Sequence, residues 1–69
     1  MSTDIHVQVN GQARALPVGT TVAALVALLE VRGRYAVEVN GEIVPRSTHA
    51  GHALHGGDRV EVVAAIGGG

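Results

Sequence analysis

Three stretches of this 69-residue chain have residue types and spacings that could do chemistry. The first is His49, His52 and His55, which recur every three residues; neutral imidazoles bind zinc. That spacing lines side chains up only in a 3₁₀ turn. Gly51, Gly56 and Gly57 deprive the segment of a stiff scaffold, and no cysteine completes a ligand set. A metal site needs preorganised ligands, so the expectation is a solvated loop and no metal. The second is His55-Gly56-Gly57-Asp58, which lacks the G-x-x-x-x-G-K-[ST] pattern of a phosphate loop and has no helix to open; it reads as a turn. The third is Gly67-Gly68-Gly69. Glycines bring nothing to a core and cost conformational entropy, so they do little as structure. As a tether they do more: four residues beyond a strand ending near Ala65 reach about 13 to 14 Å when extended. A chain without Cβ atoms passes through a narrow slot and presents the α-carboxylate of Gly69 unhindered. Ionised at neutral pH, that carboxylate can attack the α-phosphorus of ATP, expel pyrophosphate and become an acyl-adenylate activated for acyl transfer. The alternative reading of the glycine run is a frayed terminus or a cloning remnant.

Composition narrows the rest. The chain has no Cys, Lys, Trp or Phe, and Tyr35 is its single aromatic. Disulfide, thiolate and Schiff-base chemistry on side chains are therefore excluded. A cargo of sulfur would have to be held as a thiocarboxylate on the main-chain end. Ser2 and Ser47 have no neighbours to activate a nucleophile, and no carboxylate pair has acid and base spacing. The five basic residues, Arg14, Arg32, Arg34, Arg46 and Arg59, are scattered and offset by six acids, leaving a formal charge of −1 and no footprint for nucleic acid. Met1-Ser2-Thr3-Asp4 has no basic or apolar leader character, and no apolar run approaches the roughly 18 residues of a membrane span. A cytoplasmic, soluble domain is expected. A chain of this size buries only about 60% of its unfolded surface, which favours a carrier or binding module over an enclosed catalytic pocket.

The elements that must position these residues are legible in the hydrophobic pattern. Ile5, Val7 and Val9 alternate with His6, Gln8 and Asn10, a strand with one wet face, on which His6 reads as ordinary surface. Asn10-Gly11 predicts a type I′ hairpin turn into a second strand from about Gln12 to Leu16. There Ala13 and Ala15 alternate with Gln12 and Arg14, and Leu16 departs from that parity. After Pro17 and Gly19, Thr20 or Thr21 can cap a helix running to about Arg32, with Gly33 as its left-handed stop. Val22, Leu25, Val26 and Leu29 form its buried stripe, widened by Leu28 and Val31, and the line through Ala23, Ala27 and Glu30 suits water. Ala36 to Val39 reads as a third strand, Asn40-Gly41 as a turn, and Glu42 to Val44 as a short strand ended by Pro45. Ser47 to Gly57 is a loop or irregular helical turn anchored by Leu54. The last strand, Arg59 to Ala65, places Val60 and Val62 on one face, Glu61 and Val63 on the other. This order is that of the β-grasp: an α+β fold with a mixed sheet of four to five strands, one helix across it, and the final strand beside the first. The expected division is a domain over residues 1–65 and a glycine tail over 66–69.

Val18-Gly19-Thr20-Thr21-Val22, Val39-Asn40-Gly41-Glu42-Ile43-Val44-Pro45-Arg46, Gly57-Asp58-Arg59-Val60-Glu61-Val62-Val63 and Ala65-Ile66-Gly67-Gly68-Gly69 occur in an order that resembles the ThiS-type sulfur carriers of thiamine biosynthesis, a ubiquitin-like β-grasp family. The resemblance spans nearly the whole chain. It implies that Gly69 is the native end, that a ThiF-type adenylating enzyme activates its carboxylate with ATP, and that a cysteine desulfurase relay supplies sulfur. The thiocarboxylate then serves thiazole synthase, so the chain is a co-substrate with no cofactor of its own, not an enzyme. Val63 and Ala65, with Ile66, are expected to form part of the docking surface. The scarcity of aromatics departs from the family pattern and leaves that surface aliphatic. The small subunit of molybdopterin synthase is similar in fold and tail, although such chains are usually longer and richer in aromatics near the end. A β-grasp interaction or regulatory module needs no free diglycine. A protein modifier would use the same activated end, but without lysine it could not form self-linked chains.

Overall fold

The computed structural model describes residues 3–64. Along the chain run β1 (Asp4–Val9), β2 (Gln12–Pro17), α1 (Val22–Leu29), β3 (Tyr35–Val39), β4 (Glu42–Val44), a 3₁₀ turn (Arg46–Gly51) and β5 (Arg59–Ala64). The five strands form one mixed sheet in the order β2-β1-β5-β3-β4. β5 lies parallel to β1 at its centre, and the other pairings are antiparallel. The α+β class, the single helix and the central position of the last strand beside the first are as the sequence leads one to expect.

Both Asn-Gly pairs make tight turns with positive φ at both residues: Asn10 50° and Gly11 82°, then Asn40 54° and Gly41 85°. This is the type I′ geometry whose twist suits a two-residue hairpin. Thr21 caps the helix, its hydroxyl accepting from the Ala24 amide at 3.1 Å. Thr20 instead donates its hydroxyl to the Pro17 carbonyl.

The helix stops three residues earlier than its pattern predicts. Glu30, not Gly33, takes the left-handed position at its end, with φ 56°, and its N–H donates to the Ala27 carbonyl. The reason lies in packing. At 3.6 residues per turn, position 31 falls about 180° from position 22, so a continued helix would turn Val31 to solvent. Breaking at Glu30 returns Val31, together with Leu29, to the core. Leu28 does not widen the buried stripe; it is 57% exposed.

The core lies between α1 and one sheet face, built from Val22, Leu25 and Val26 of the helix against Val7, Val9, Val37, Val39 and Val60 of the strands. The parity of β2 is the reverse of what its alanines imply. Leu16 pairs with Ile5 and is 2% exposed, so Gln12, Arg14 and Leu16 share the inward side while Ala13 and Ala15 face out. Because β2 is an edge strand, only its Leu16 end is covered, and Gln12 and Arg14 stay in water despite their inward register.

Candidate functional site

The strand that leads to the glycines is gripped from both sides by the two hairpin asparagines. The parallel register of β1 with β5 covers only Gln8↔Arg59 and Val9↔Val60. Beyond it the Asn10 side chain takes over: Oδ1 accepts from the Val62 N–H at 2.8 Å, and Nδ2 donates to the Val62 carbonyl at 3.4 Å. One side-chain amide thus continues the ladder as a peptide group would. On the other side, Asn40 Oδ1 accepts from the Arg59 N–H at 2.9 Å and its Nδ2 donates to Asp58 Oδ1 at 3.0 Å. Asp58 in turn accepts from the His55 N–H and closes the turn through Gly56 and Gly57, where Gly57 has φ 90°. The sequence marks both asparagines as turn residues; nothing local reveals their reach to β5, 52 positions away for Asn10 and Val62.

Asn10→Gly separates these two roles, because glycine keeps the turn and loses the amide. The expected cost is about 1–2 kcal/mol. Hydrogen exchange should show protection of the Val62 amide falling well below that of Val37 and Val39. Equal protection at all three would show that the side chain holds nothing in place.

Val60 is buried and Val62 half-buried on the core side, so Glu61 and Val63 point to the face opposite the helix, as their alternation predicts. Val63 is 54% exposed there and pairs with Ala36; Ile43 on the same face is 70% exposed. Ala65, Ile66, Gly67, Gly68 and Gly69, the remaining expected site residues, lie outside the described residues.

Of the three spaced histidines only His49 lies in the 3₁₀ turn; His52 follows it in extended conformation and His55 lies beyond, so the spacing of three does not align them. His49 is 6% exposed, and its Nε2–H donates to the Val44 carbonyl at 2.9 Å. Its ring lies 6.1 Å from that of Tyr35, over which the Arg46 guanidinium stacks at 4.6 Å. This histidine fastens the turn to β3 and β4, and the solvated-loop expectation fails at that residue because Leu54 is not the segment's only anchor. His52 and His55 border an open depression also lined by Asn40, Glu42 and Asp58. Among the described residues no group of three or more histidines and carboxylates is gathered to hold a metal ion. Nor, among them, is any helix long and apolar enough to cross a membrane.

Residues 7–69 match the family model described as the ThiS family, a span that begins within β1 and runs through the final glycines. The chain belongs to the ThiS family. Its fold is correspondingly similar to the crystal structure of the thiamine biosynthesis protein (ThiS) from Geobacter metallireducens, with a TM-score of 0.79 at 29% identity over 94% of this chain and 100% of that one. The solution structure of a thiamine biosynthesis protein from the same organism gives 0.78 at 29% identity, covering 94% and 88%. This ThiS-family chain is also 48% identical over 62 residues to a thiazole synthase of Paramagnetospirillum magneticum (strain ATCC 700264 / AMB-1), covering 88% of itself and 19% of that relative. It therefore spans about a fifth of the length of that curated relative.

Proposed function

We propose that this ThiS-family chain is a cytoplasmic sulfur carrier whose reactive group is the α-carboxylate of Gly69. The observation that carries the reading is that the family match runs through residue 69, so the three glycines are part of what is matched. An adenylating enzyme of the ThiF type supplies ATP, and the Gly69 carboxylate attacks its α-phosphorus with loss of pyrophosphate. A persulfide of a cysteine desulfurase relay attacks the acyl-adenylate and expels AMP, and a second thiol of the relay breaks the resulting acyl disulfide by thiol–disulfide exchange, releasing the thiocarboxylate that thiazole synthase consumes. The similarity to a protein named thiazole synthase supports that acceptor. Residues 66–69 act as the tether, with Gly67 and Gly68 threading the partner's slot. Val63, Ala65 and Ile66 meet the partner's surface. The chain is a co-substrate: it binds no cofactor itself, and its chemistry is performed by larger partners.

Intact-mass spectrometry tests this directly. After incubation with ATP, an adenylating enzyme and a sulfur source, the chain is expected to gain the mass of one sulfur less one oxygen at its C-terminal residue. An unchanged mass with partners that load another carrier of the same family would overturn the reading.

A further inference from the structure

The chain has two asparagines, and both stand in the same tripeptide, Val9-Asn10-Gly11 and Val39-Asn40-Gly41. Asparagine before glycine is prone to spontaneous deamidation, because the next residue has no Cβ to shield its backbone nitrogen. That nitrogen, of Gly11 or Gly41, attacks the side-chain carbonyl carbon; a C–N bond forms, ammonia leaves and a cyclic succinimide results. Water then opens the ring at either carbonyl, giving aspartate or isoaspartate. Identical immediate neighbours make the two sites nearly equal in an unfolded chain. A difference between them in the native protein therefore comes from the fold.

Both asparagines are exposed, with φ of 50° and 54°, so solvent reaches them alike. What differs is how their side-chain amides are held. Ring closure requires the amide to swing back onto its own following peptide, whereas each amide is turned instead towards β5 or the turn that enters it. Asn40 makes two contacts of ordinary length, from Nδ2 to Asp58 Oδ1 at 3.0 Å and from the Arg59 N–H to Oδ1 at 2.9 Å. The first has an ionised acceptor, which makes it roughly twice as strong as a neutral bond. Asn10 accepts from the Val62 N–H at 2.8 Å, but its Nδ2 reaches only a neutral carbonyl, at 3.4 Å. That separation lies beyond the usual span of about 2.7–3.2 Å. Both backbone N–H groups are bound as well, that of Asn40 to the Arg59 carbonyl at 2.7 Å and that of Asn10 to the Val60 carbonyl at 2.9 Å.

We propose that Asn10 is a modification site of this protein, deamidated from the folded state when its contact with Val62 opens locally, while the contact with Asp58 holds Asn40 back. The change loosens β5. Aspartate at position 10 has no N–H to give the Val62 carbonyl and turns a carboxylate oxygen towards it. Isoaspartate carries the main chain through the side-chain carbon and lengthens a two-residue turn, disturbing the β1–β2 register that the turn fixes.

The test is to age the full chain at physiological temperature and mildly alkaline pH, once folded and once in concentrated guanidinium chloride. Tryptic cleavage after Arg14, Arg34 and Arg46 puts the two sites in separate peptides, 1–14 and 35–46, where deamidation is read as the mass change of NH replaced by O. In guanidinium the two sites are expected to convert at closely similar rates. In the folded chain Asn10 is expected to convert about tenfold faster than Asn40, the difference between one weak neutral bond and one charge-assisted bond. Asp58→Ala should raise conversion at Asn40 and leave Asn10 as it was. Asn10→Asp, which supplies one product directly, should lower hydrogen-exchange protection of the Val62 amide. Equal native rates, faster conversion at Asn40, or an Asn10 that stays intact while the denatured chain converts would each overturn the proposal. So would an unmoved Asn40 rate in Asp58→Ala, or full protection of Val62 in Asn10→Asp.

Discussion

Deletion of Gly69 is expected to abolish sulfur loading and to leave the melting temperature almost where it was. With Gly68 as the new end, the carboxylate stands back by one residue, about 3.5 Å. Misplacement of a reacting group by 1 Å can cost about 100-fold in rate, so loading should fall below detection in the intact-mass assay. Adding one residue after Gly69 should do the same, by pushing the carboxylate past the reactive phosphorus and bringing a side chain into a slot sized for glycine. Neither change removes an apolar side chain from the core. About 1 kcal/mol corresponds to about 4–8 °C in a domain of this size, so a shift under about 2 °C is expected. Full loading of the shortened chain would show that the reactive group lies elsewhere. A large fall in melting temperature would show that the glycines are structural.

Leu25→Ala is expected to bring the fold to the edge of stability. Leu25 is 0% exposed and sits on the helix face pressed against the sheet. Its truncation costs the lost burial plus a cavity, about 2–5 kcal/mol. At about 0.05–0.15 kcal/mol per residue, the whole chain has only about 3–10 kcal/mol to lose. The melting temperature, followed by far-ultraviolet circular dichroism, should drop by about 10–30 °C. Leu28→Ala is the matched control three positions on, at 57% exposure, and should stay within about 0.5 kcal/mol of wild type. Similar losses from the two substitutions would contradict the orientation of α1.

That pair of leucines also marks how far periodicity can be read. Val22, Leu25 and Val26 are identified as core by their spacing; Leu28 is not sorted correctly, and Val31 reaches the core only because the helix ends before it. The end is set by competition between continuing the backbone ladder and returning Val31 to the core, and the cost of a left-handed Glu30 is part of that balance. Leu16 shows the same thing in a strand. Two alanines suggest one parity, but a single leucine paired with Ile5 decides the other. His49, one of three similar histidines in sequence, is buried through a carbonyl five residues back and a ring on another strand.

From sequence alone came the elements with strong local physics: two Asn-Gly turns that demand positive φ, a β1 that alternates, a helix with one apolar stripe, and a glycine run whose one chemical asset is a main-chain carboxylate. The lack of cysteine and lysine points away from thiol and amine chemistry on side chains. Only the tertiary structure decided which residues work across distance. Asn10 clips Val62, and Asn40 joins Asp58 to Arg59. Each of these depends on strand order and register, which arise from packing between segments far apart in the chain and leave no trace in the spacing of neighbours.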